Sequence, residues 1–232
     1  MTKAGILTIL TVAAMSSLCV HAAERESKVT DRLEAAGDVL QDMTHESDKG
    51  IPQDLMNKAR CLVVVPDMKK AGFVFGAKYG RGFAMCRREG GSGWSAPAPM
   101  RIEGGSFGLQ IGASEQDVIL LVMNDRGMKH LLSDKFTLGG DASVAAGPVG
   151  RDAAAQTDAE LHAEMLSWSR SRGIFAGLTL EGATLRPDHD SIKELYGRGF
   201  TNRDILAGDA KPPAGADKLK NILDRTSARR DR

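Results

Sequence analysis

Four stretches of the sequence contain the residue types on which catalytic and metal sites are built. Gly104–Gly108 fits the pattern G-x-S-x-G, which in hydrolases places a nucleophilic serine, here Ser106, at a sharp turn between a strand and a helix. After Ser106, however, the sequence continues with a strand-like alternation, and no convincing acid-then-histidine order follows. We therefore expect Ser106 to be a structural residue and not a nucleophile.

The other three stretches also fit structural roles better than chemical ones. Asp188–Asp190, with the sequence Asp-His-Asp, could bind a metal ion, but it also makes a good helix start, and no second pair of ligands is evident. His45 lacks the second histidine of a zinc-protease helix, because Lys49 stands in its place. Gly139–Arg151 lacks the Lys-Ser/Thr ending of a phosphate-binding loop. The sequence predicts a protein that is not an enzyme and uses no metal or cofactor.

The composition is that of an ordinary globular chain with an excess of glycine. Of 232 residues, 42% are hydrophobic and 26% are charged, which suits one domain with a sizeable core. The 31 basic and 30 acidic residues leave a formal net charge of +1, which argues against bulk attraction to nucleic acid. The 26 glycines, in a chain of strand-like runs, indicate a tightly bent or closely packed sheet.

The first residues have the pattern of a targeting signal. Lys3 is followed by the apolar run Ile6–Ala14 and by small residues at Val20–Ala22, which suit a cleavage site. We therefore expect residues 1–22 to be a signal peptide and the mature protein to be periplasmic or secreted. Cys19 lacks the preceding residues of a lipoprotein site, so lipid anchoring is not predicted.

The body of the chain predicts an α+β domain over residues 23–208. Residues 24–48 have one apolar stripe and an acidic polar face, which is typical of a helix packed on a core and not of one lying on anionic lipid. Strands are expected at Cys61–Pro66, Phe73–Ala77, Phe83–Arg88, Ser106–Ile111, Asp117–Met123, Leu161–Ser169 and Ile174–Leu185. Connections are expected at Asp67–Gly72, Lys78–Gly82 and Ala113–Gln116, and short helices at Pro52–Ala59, Ser191–Tyr196 and Asn202–Leu206.

These elements suit a strongly bent antiparallel sheet that could close into a barrel, with helices from both ends of the chain packed on it. Thr137–Gly150 has too many small residues to fill a core with side chains, so it would let two backbones, or a ligand, approach closely. Residues 209–232 are polar and contain Pro212 and Pro213, and we expect them to form a flexible tail.

Several long segments match one family in the same order along the chain. They include KAGFVFGAKYGRG near residue 70, GWSAPA near 95, GGSFGLQIGA from Gly104, KFTLGGDASVAAGPVGRDA from Lys135 and RSRGIFAGLTLEG near 175. This wording closely resembles the SYLF domain family of lipid-binding proteins, which includes bacterial envelope proteins and yeast actin-patch proteins that also bind actin. The resemblance implies phospholipid or membrane-surface binding in the bacterial envelope, where actin binding would have little meaning.

The residues allow a physical form of that function. Lys69, Lys70, Lys78 and Arg81 flank the predicted strand Phe73–Ala77, close to Phe73 and Tyr79. Cations at an anionic membrane surface each contribute ~1 kcal/mol, and an inserted aromatic side chain contributes ~1.5–3 kcal/mol. We therefore predict a lipid-binding site formed by Lys69, Lys70, Phe73, Lys78, Tyr79 and Arg81. A solvated basic surface remains the alternative.

Other functions and one covalent feature also stay open. The chain could instead be a periplasmic protein-interaction module for envelope maintenance, or it could carry a small apolar ligand beside Thr137–Gly150. Cys61 and Cys86 lie on neighbouring predicted strands, and they could form a disulfide or remain two buried thiols.

Overall fold

The computed structural model describes residues 28–45, 50–72, 75–88, 93–107, 112–148, 162–171, 173–178 and 180–226. Within these residues, nine strands form one sheet, with helices before, between and after them. The strands are β1 (Cys61–Gly72), β2 (Phe75–Cys86), β3 (Ala98–Phe107), β4 (Gly112–Val122), β5 (Phe136–Thr137), β6 (Val144–Ala146), β7 (Met165–Ser171), β8 (Ile174–Gly177) and β9 (Thr184–Pro187). The helices are α1 (28–45), α2 (Gln53–Lys58), α3 (Asp125–Leu131), α4 (His189–Tyr196), α5 (Asn202–Leu206) and α6 (Ala216–Thr226).

The sheet is strongly curled, as the sequence predicts. Its strand order is β5-β9-β3-β2-β1-β4-β7-β6, with β8 paired to β7 beside this path. A flat sheet of this width would hold its edges about 34 Å apart, since neighbouring strands lie about 4.8 Å apart. The link from Thr137 in edge strand β5 to Val144 in edge strand β6 can span about 25 Å at most. The sheet must therefore bend until its two edges approach each other.

The link spans less than this maximum distance, because it contains a tight turn. The Gly139 N–H donates to the Ala142 carbonyl at 2.7 Å, and the Asp141 N–H donates to the Thr137 carbonyl at 2.8 Å. Gly139 has a φ of 80°, a conformation that favours glycine. The described edges are joined through this turn and not by a strand ladder, so the sheet is a half-barrel.

Alternation along the central strands sends side chains into two apolar layers. On β1, Val63 and Val65 belong to the layer that also contains residues of β5, β9, α4 and α5. Leu62 and Val64 belong to the other layer, which contains residues of α1, α2 and α6. We call these two sides of the sheet the inner face and the outer face, respectively. Because both faces of β1 are covered, its apolar run is nearly continuous.

The N-terminal helix is confirmed as a core helix. Residues 28–45 are helical in the structure, and the five residues of the predicted apolar stripe are all buried against the outer face: Val29, Leu33, Ala36, Leu40 and Met43. The predicted short helices reappear as α2, α4 and α5. Apolar periodicity was sufficient to locate all of these elements.

The predicted connections near residues 67–72, 78–82 and 113–116 are wrong, because the strands continue through them. Pro66 cannot donate to a ladder, and we expected it to end the first strand. The register of β1 instead shifts between Val64 and Lys69 on the β2 side, and between Val65 and Met68 on the β4 side. This β-bulge accommodates the proline, and β1 then resumes pairing as far as Gly72.

Two predictions for the C-terminal half also need correction. The expected strand from 174 to 185 is two strands, β8 and β9, separated by a turn at Gly182, which has a φ of 76°. The expected flexible tail contains α6, which buries Leu219, Ile222 and Leu223 against the outer-face layer. Among the described residues, the structure contains no helix with the length and apolar character that a membrane crossing requires.

Cys61 and Cys86 are direct partners in the β1–β2 ladder, and the structure joins them by a disulfide with an S–S distance of 2.04 Å. Both residues are completely buried in the inner-face layer. A crosslink between residues 25 positions apart restricts the unfolded chain, which in the chain-entropy model stabilises the fold by roughly 3 kcal/mol.

We predict that the full chain, denatured without reductant, presents a single titratable thiol, that of Cys19. Addition of reductant should raise the count to all three cysteines of the sequence. Replacing Cys61 and Cys86 together by alanine should lower the free energy of unfolding by roughly 3 kcal/mol or less. Titration of three thiols before reduction would show that the pair is not bonded in the purified protein.

Candidate functional site: a basic extension of the sheet

Four neighbouring strands continue beyond the two apolar layers. We call this part the sheet extension, and it consists of residues 69–72 of β1, 75–79 of β2, 103–107 of β3 and 112–115 of β4. It exists because the bulge at Pro66 lets β1 continue between β2 and β4. The extension contains four of the predicted lipid-binding residues, Lys69, Lys70, Lys78 and Tyr79, and Arg81 lies next to it on β2. The sixth, Phe73, lies outside the described residues.

Ladder pairing arranges the extension in rows across the strands. In the order β4, β1, β2 and β3, the row nearest the core is Glu115, Lys69, Tyr79 and Glu103, and the next is Ser114, Lys70, Lys78 and Gly104. Two rows of small residues come next: Ala113, Ala71, Ala77 and Gly105, and then Gly112, Gly72, Gly76 and Ser106. Beyond them, β2 and β3 pair Phe75 with Phe107.

The structure brings the predicted cations together but divides them between the two faces. Because side chains alternate along a strand, Lys70 and Lys78 lie on the inner face. Lys69 and Tyr79 lie on the outer face, together with Arg81, which is two residues beyond Tyr79 on β2. The sequence placed all of them in two loops around one strand, so their location on paired strands is a correction.

Lys78 has the least favourable electrostatic environment of the group. Its side chain is only 8% exposed, and Lys70 is its direct partner across the ladder. Burial, and then the charge of Lys70, lower the pKa of Lys78. We find no ion pair to Lys78 among the residues that the structure describes. The protein thus holds two ammonium groups close together where an anion would relieve their repulsion.

The outer-face residues are better compensated. Lys69 lies 3.5 Å from a Glu115 carboxylate oxygen, but both side chains are mostly exposed, so this pair contributes little to stability. Arg81 Nε donates to the Tyr79 hydroxyl at 2.6 Å and lies 3.4 Å from Asp188 Oδ2. Tyr79 itself is 40% exposed. An outer-face ligand would therefore meet an aromatic ring that is already positioned by Arg81.

Three arginines form a second basic feature, which sequence reasoning missed. Arg81 pairs with Arg101 in the β2–β3 ladder, and Arg101 pairs with Arg186 in the β3–β9 ladder. We call these three residues the arginine row. Only the register of three strands brings them together, so nothing in their spacing along the chain could have revealed the row.

Open space adjoins the basic residues in two places. A cavity of about 770 Å³ is lined by Lys70, Ser114 and Ser171, with Lys69, Ala71, Ala113 and Glu115. A second cavity, of about 510 Å³, is lined by Arg32, Tyr79 and Arg81, with Asp31, Ala35, Pro66, Asp67, Lys69 and Gly80. Residues of both faces line the first cavity, and the small side chains of Ala71 and Ala113, on the same face as Lys69, leave Lys69 accessible.

The residues with possible catalytic or metal-binding roles are in structural positions. Ser106 lies on β3 opposite Gly76, and not at a strand-to-helix turn. Asp188 precedes α4, is 1% exposed, and accepts a hydrogen bond from the Ser191 hydroxyl at 2.8 Å. Over the described ranges, no cluster of His, Cys, Asp and Glu has a metal-binding arrangement. Gly147 lies against the indole of Trp168, so the small residues of this stretch serve close packing here.

Comparison with known proteins identifies the family. The family model described as "Ysc84: Las17-binding protein actin regulator" matches residues 103–226, more than half of the chain. The chain belongs to the Ysc84 (SYLF domain) family. The matched region includes β3 and β4 of the extension and all the helices from α3 to α6.

Curated relatives extend this family match over most of the chain. SH3 domain-containing protein PJ696.02 of Schizosaccharomyces pombe is 35% identical over 75% of this chain and 40% of its own length. LAS seventeen-binding protein 3 of Saccharomyces cerevisiae is 33% identical over 77% of this chain and 39% of its own length. The human SH3 domain-containing YSC84-like protein 1 is 35% identical over 76% of this chain and 52% of its own length. The chain thus spans about half, or less, of the length of these Ysc84-family relatives.

These findings contradict the predicted periplasmic or secreted location. The matched relatives come from yeasts and mammals, and the family model describes an actin regulator. Both facts point away from an exported protein of the bacterial envelope. Actin-related partners, which the expected export disfavoured, are therefore no longer disfavoured.

We predict that Lys78→Met raises the stability of this Ysc84-family domain at neutral pH. The folded-state pKa of Lys78 is lowered, so the unfolded chain binds more protons between that pKa and the ordinary lysine value. The destabilisation is complete below the folded-state pKa and disappears as the pH rises to the ordinary value. Denaturant unfolding of wild type and Lys78→Met should therefore give a difference that shrinks at alkaline pH.

Exposed Lys129, on α3, provides the control for this measurement. Lys129→Met removes the same charge outside the extension, and it should change stability little at any pH. An equal stabilisation by both variants would mean that the charge of Lys78 destabilises the folded state no more than that of an exposed lysine.

Proposed function

We propose that this chain is a non-enzymatic protein that binds anionic phospholipid surfaces through the sheet extension. The observation that carries the proposal is the ladder pairing of Lys70 with Lys78, next to Lys69 and beside rows of Gly, Ala and Ser. Directly opposed like charges destabilise a sheet. A surface that supplies anionic headgroups would offset this cost, and the rows of small residues leave room for headgroups beside the lysines.

The expected strength of this interaction is modest. Three lysines at an anionic surface would contribute ~3 kcal/mol, since each contributes ~1 kcal/mol. Tyr79, which is already partly exposed, adds an amphipathic ring of the type found at membrane interfaces. Such an interaction is weak and depends on salt, because exposed charges are screened within about 10 Å at ordinary ionic strength.

We predict that reversing the charge of both Lys69 and Lys70, with Lys69→Glu and Lys70→Glu, abolishes most binding to phosphatidylcholine vesicles that contain phosphatidylserine. The lost attraction alone is ~2 kcal/mol, or roughly thirtyfold in affinity. Cosedimentation over a range of salt concentrations measures both the affinity and its salt dependence. The variant should have a flatter salt dependence than the wild type.

A double variant with the same change of charge serves as the control. Lys129→Glu with Lys135→Glu alters two exposed lysines outside the extension. It should bind phosphatidylserine vesicles nearly as well as the wild type. If the two double variants lose binding equally, the attraction comes from overall charge, and the extension is not the binding surface.

A second candidate function is binding to a protein partner. It is favoured by the description of the matched family model, Las17-binding actin regulator, and by the name of the budding-yeast relative. The family model matches residues 103–226 of this chain, so the described activity could belong to the shared domain. The rest of each relative, about three fifths of its length, is an equally good location for it.

This candidate predicts that the purified chain retains purified Las17 on a column and sediments with actin filaments. The Lys69→Glu, Lys70→Glu variant should do so as well as the wild type if the protein partner uses another surface. Retention of neither Las17 nor actin would assign those activities to parts of the relatives that this chain does not match.

A further inference from the structure

The arginine row is an unusual arrangement of like charges. Directly paired residues of an antiparallel ladder have Cβ atoms roughly 4.5–5.5 Å apart on the same face, and like charges there are unfavourable. Arg81, Arg101 and Arg186 repeat this arrangement over two successive strand pairs. Their side chains are 34%, 22% and 35% exposed, so each is partly buried and still accessible at its end.

The acidic groups around Arg101 and Arg186 are too few for the donors present. Glu103 lies between them, 2.6 Å from Arg186 Nη2 and 3.9 Å from Arg101 Nε. The longer distance exceeds that of a hydrogen bond. Within the described part of the chain, the Nε atoms of Arg101 and Arg186 are buried and have no hydrogen-bond partner. Two guanidinium groups therefore share one carboxylate.

A fourth arginine faces the other end of the row. Arg32, on α1, lines the 510 Å³ cavity together with Arg81 and Tyr79. Burial, and then the charge of Arg81, lower the pKa of Arg32, and the nearby Asp188, Tyr79 and Glu194 offset this effect in part. Asp188 lies 3.4 Å from Arg81 Nε, but it also accepts a hydrogen bond from Ser191. The cavity thus has Arg32, Lys69 and Arg81 in its lining, together with the carboxylates of Asp31 and Asp67.

We propose that the arginine row and the adjoining cavity form a binding site for a phosphate-type oxyanion. A guanidinium group donates two parallel hydrogen bonds to phosphate or carboxylate, and phosphate offers enough terminal oxygens to accept from several arginines at once. Glu103 already provides the one carboxylate that fits between Arg101 and Arg186. A tetrahedral anion next to the row would satisfy the remaining donors and reduce the repulsion among the arginines.

Lys69 of the extension also lines this cavity, but Arg101 and Arg186 lie outside the extension, and the site does not require the proposed membrane function. The phosphate could belong to a lipid headgroup or to a free phosphate compound, since both present the same oxygens. Soluble inorganic pyrophosphate tests the shared chemistry without a membrane. Vesicles of phosphatidylcholine with phosphatidic acid then distinguish the two sources.

The test is calorimetric titration of the full chain with pyrophosphate at low salt. The wild type should bind it saturably, with one anion per chain. Arg101→Gln and Arg186→Gln should each weaken binding at least tenfold, because each removes charge-assisted hydrogen bonds. Arg203→Gln removes the same charge from an exposed position on α5 and should leave the affinity within twofold of the wild type.

Thermal unfolding of each variant checks that the fold is retained. If Arg101→Gln does not fold, Arg186→Gln alone tests the contribution of the arginine row. Absence of saturable binding by the wild type would overturn the proposal. An equal loss of pyrophosphate affinity in Arg203→Gln would also overturn it, because it would indicate attraction to overall charge. Unchanged pyrophosphate affinity in both Arg101→Gln and Arg186→Gln would overturn it as well.

The vesicle arm identifies the source of the phosphate. Pyrophosphate that releases the protein from phosphatidic acid vesicles, together with loss of vesicle binding in Arg101→Gln, supports a lipid headgroup. Pyrophosphate binding combined with vesicle binding that Arg101→Gln leaves unchanged supports a free phosphate compound. Both results depend on Arg101→Gln, a residue outside the extension, and not on the lysine variant, so the membrane proposal can fail while this one holds.

Discussion

The short covalent link between the two edge strands is the constraint on which the whole architecture depends. The turn between Thr137 and Val144 holds β5 and β6 close together, although they lie at opposite ends of the strand order. The sheet between them has to curl, and curling separates an inner face from an outer face. The inner face encloses one apolar layer, and helices from both ends of the chain cover the other.

Much of this fold was predictable, because apolar periodicity is a local signal. The stripe from Val29 to Met43 located α1, and the apolar run after Cys61 located the core of β1. The continuation of β1 past Pro66 was not predictable, because a bulge depends on pairing with both neighbours. Proline in a central strand normally argues against a strand, and here the bulge removes the need for its missing N–H.

That one bulge also explains the errors at the candidate site. Without it, Lys69, Lys70 and Lys78 fall in loops, where side chains have no fixed face. With it, they occupy paired strands, and the two-residue period places Lys70 and Lys78 inside and Lys69 outside. The arginine row was invisible for a related reason. Residues 81, 101 and 186 meet only through the register of three strands, and sequence spacing carries no information about that register.

Both basic features contradict the rules that stabilise sheets, and this is the best reason to regard them as functional. A sheet gains stability from cross-strand pairs of opposite charge, whereas this one opposes Lys70 to Lys78 and Arg81 to Arg101. The chain has nearly equal numbers of acidic and basic residues, so composition did not force these pairings. Natural proteins break such local rules mainly where binding or catalysis compensates for the cost. The compensation expected for clustered, partly buried cations is an anion, whether on a surface or free in solution.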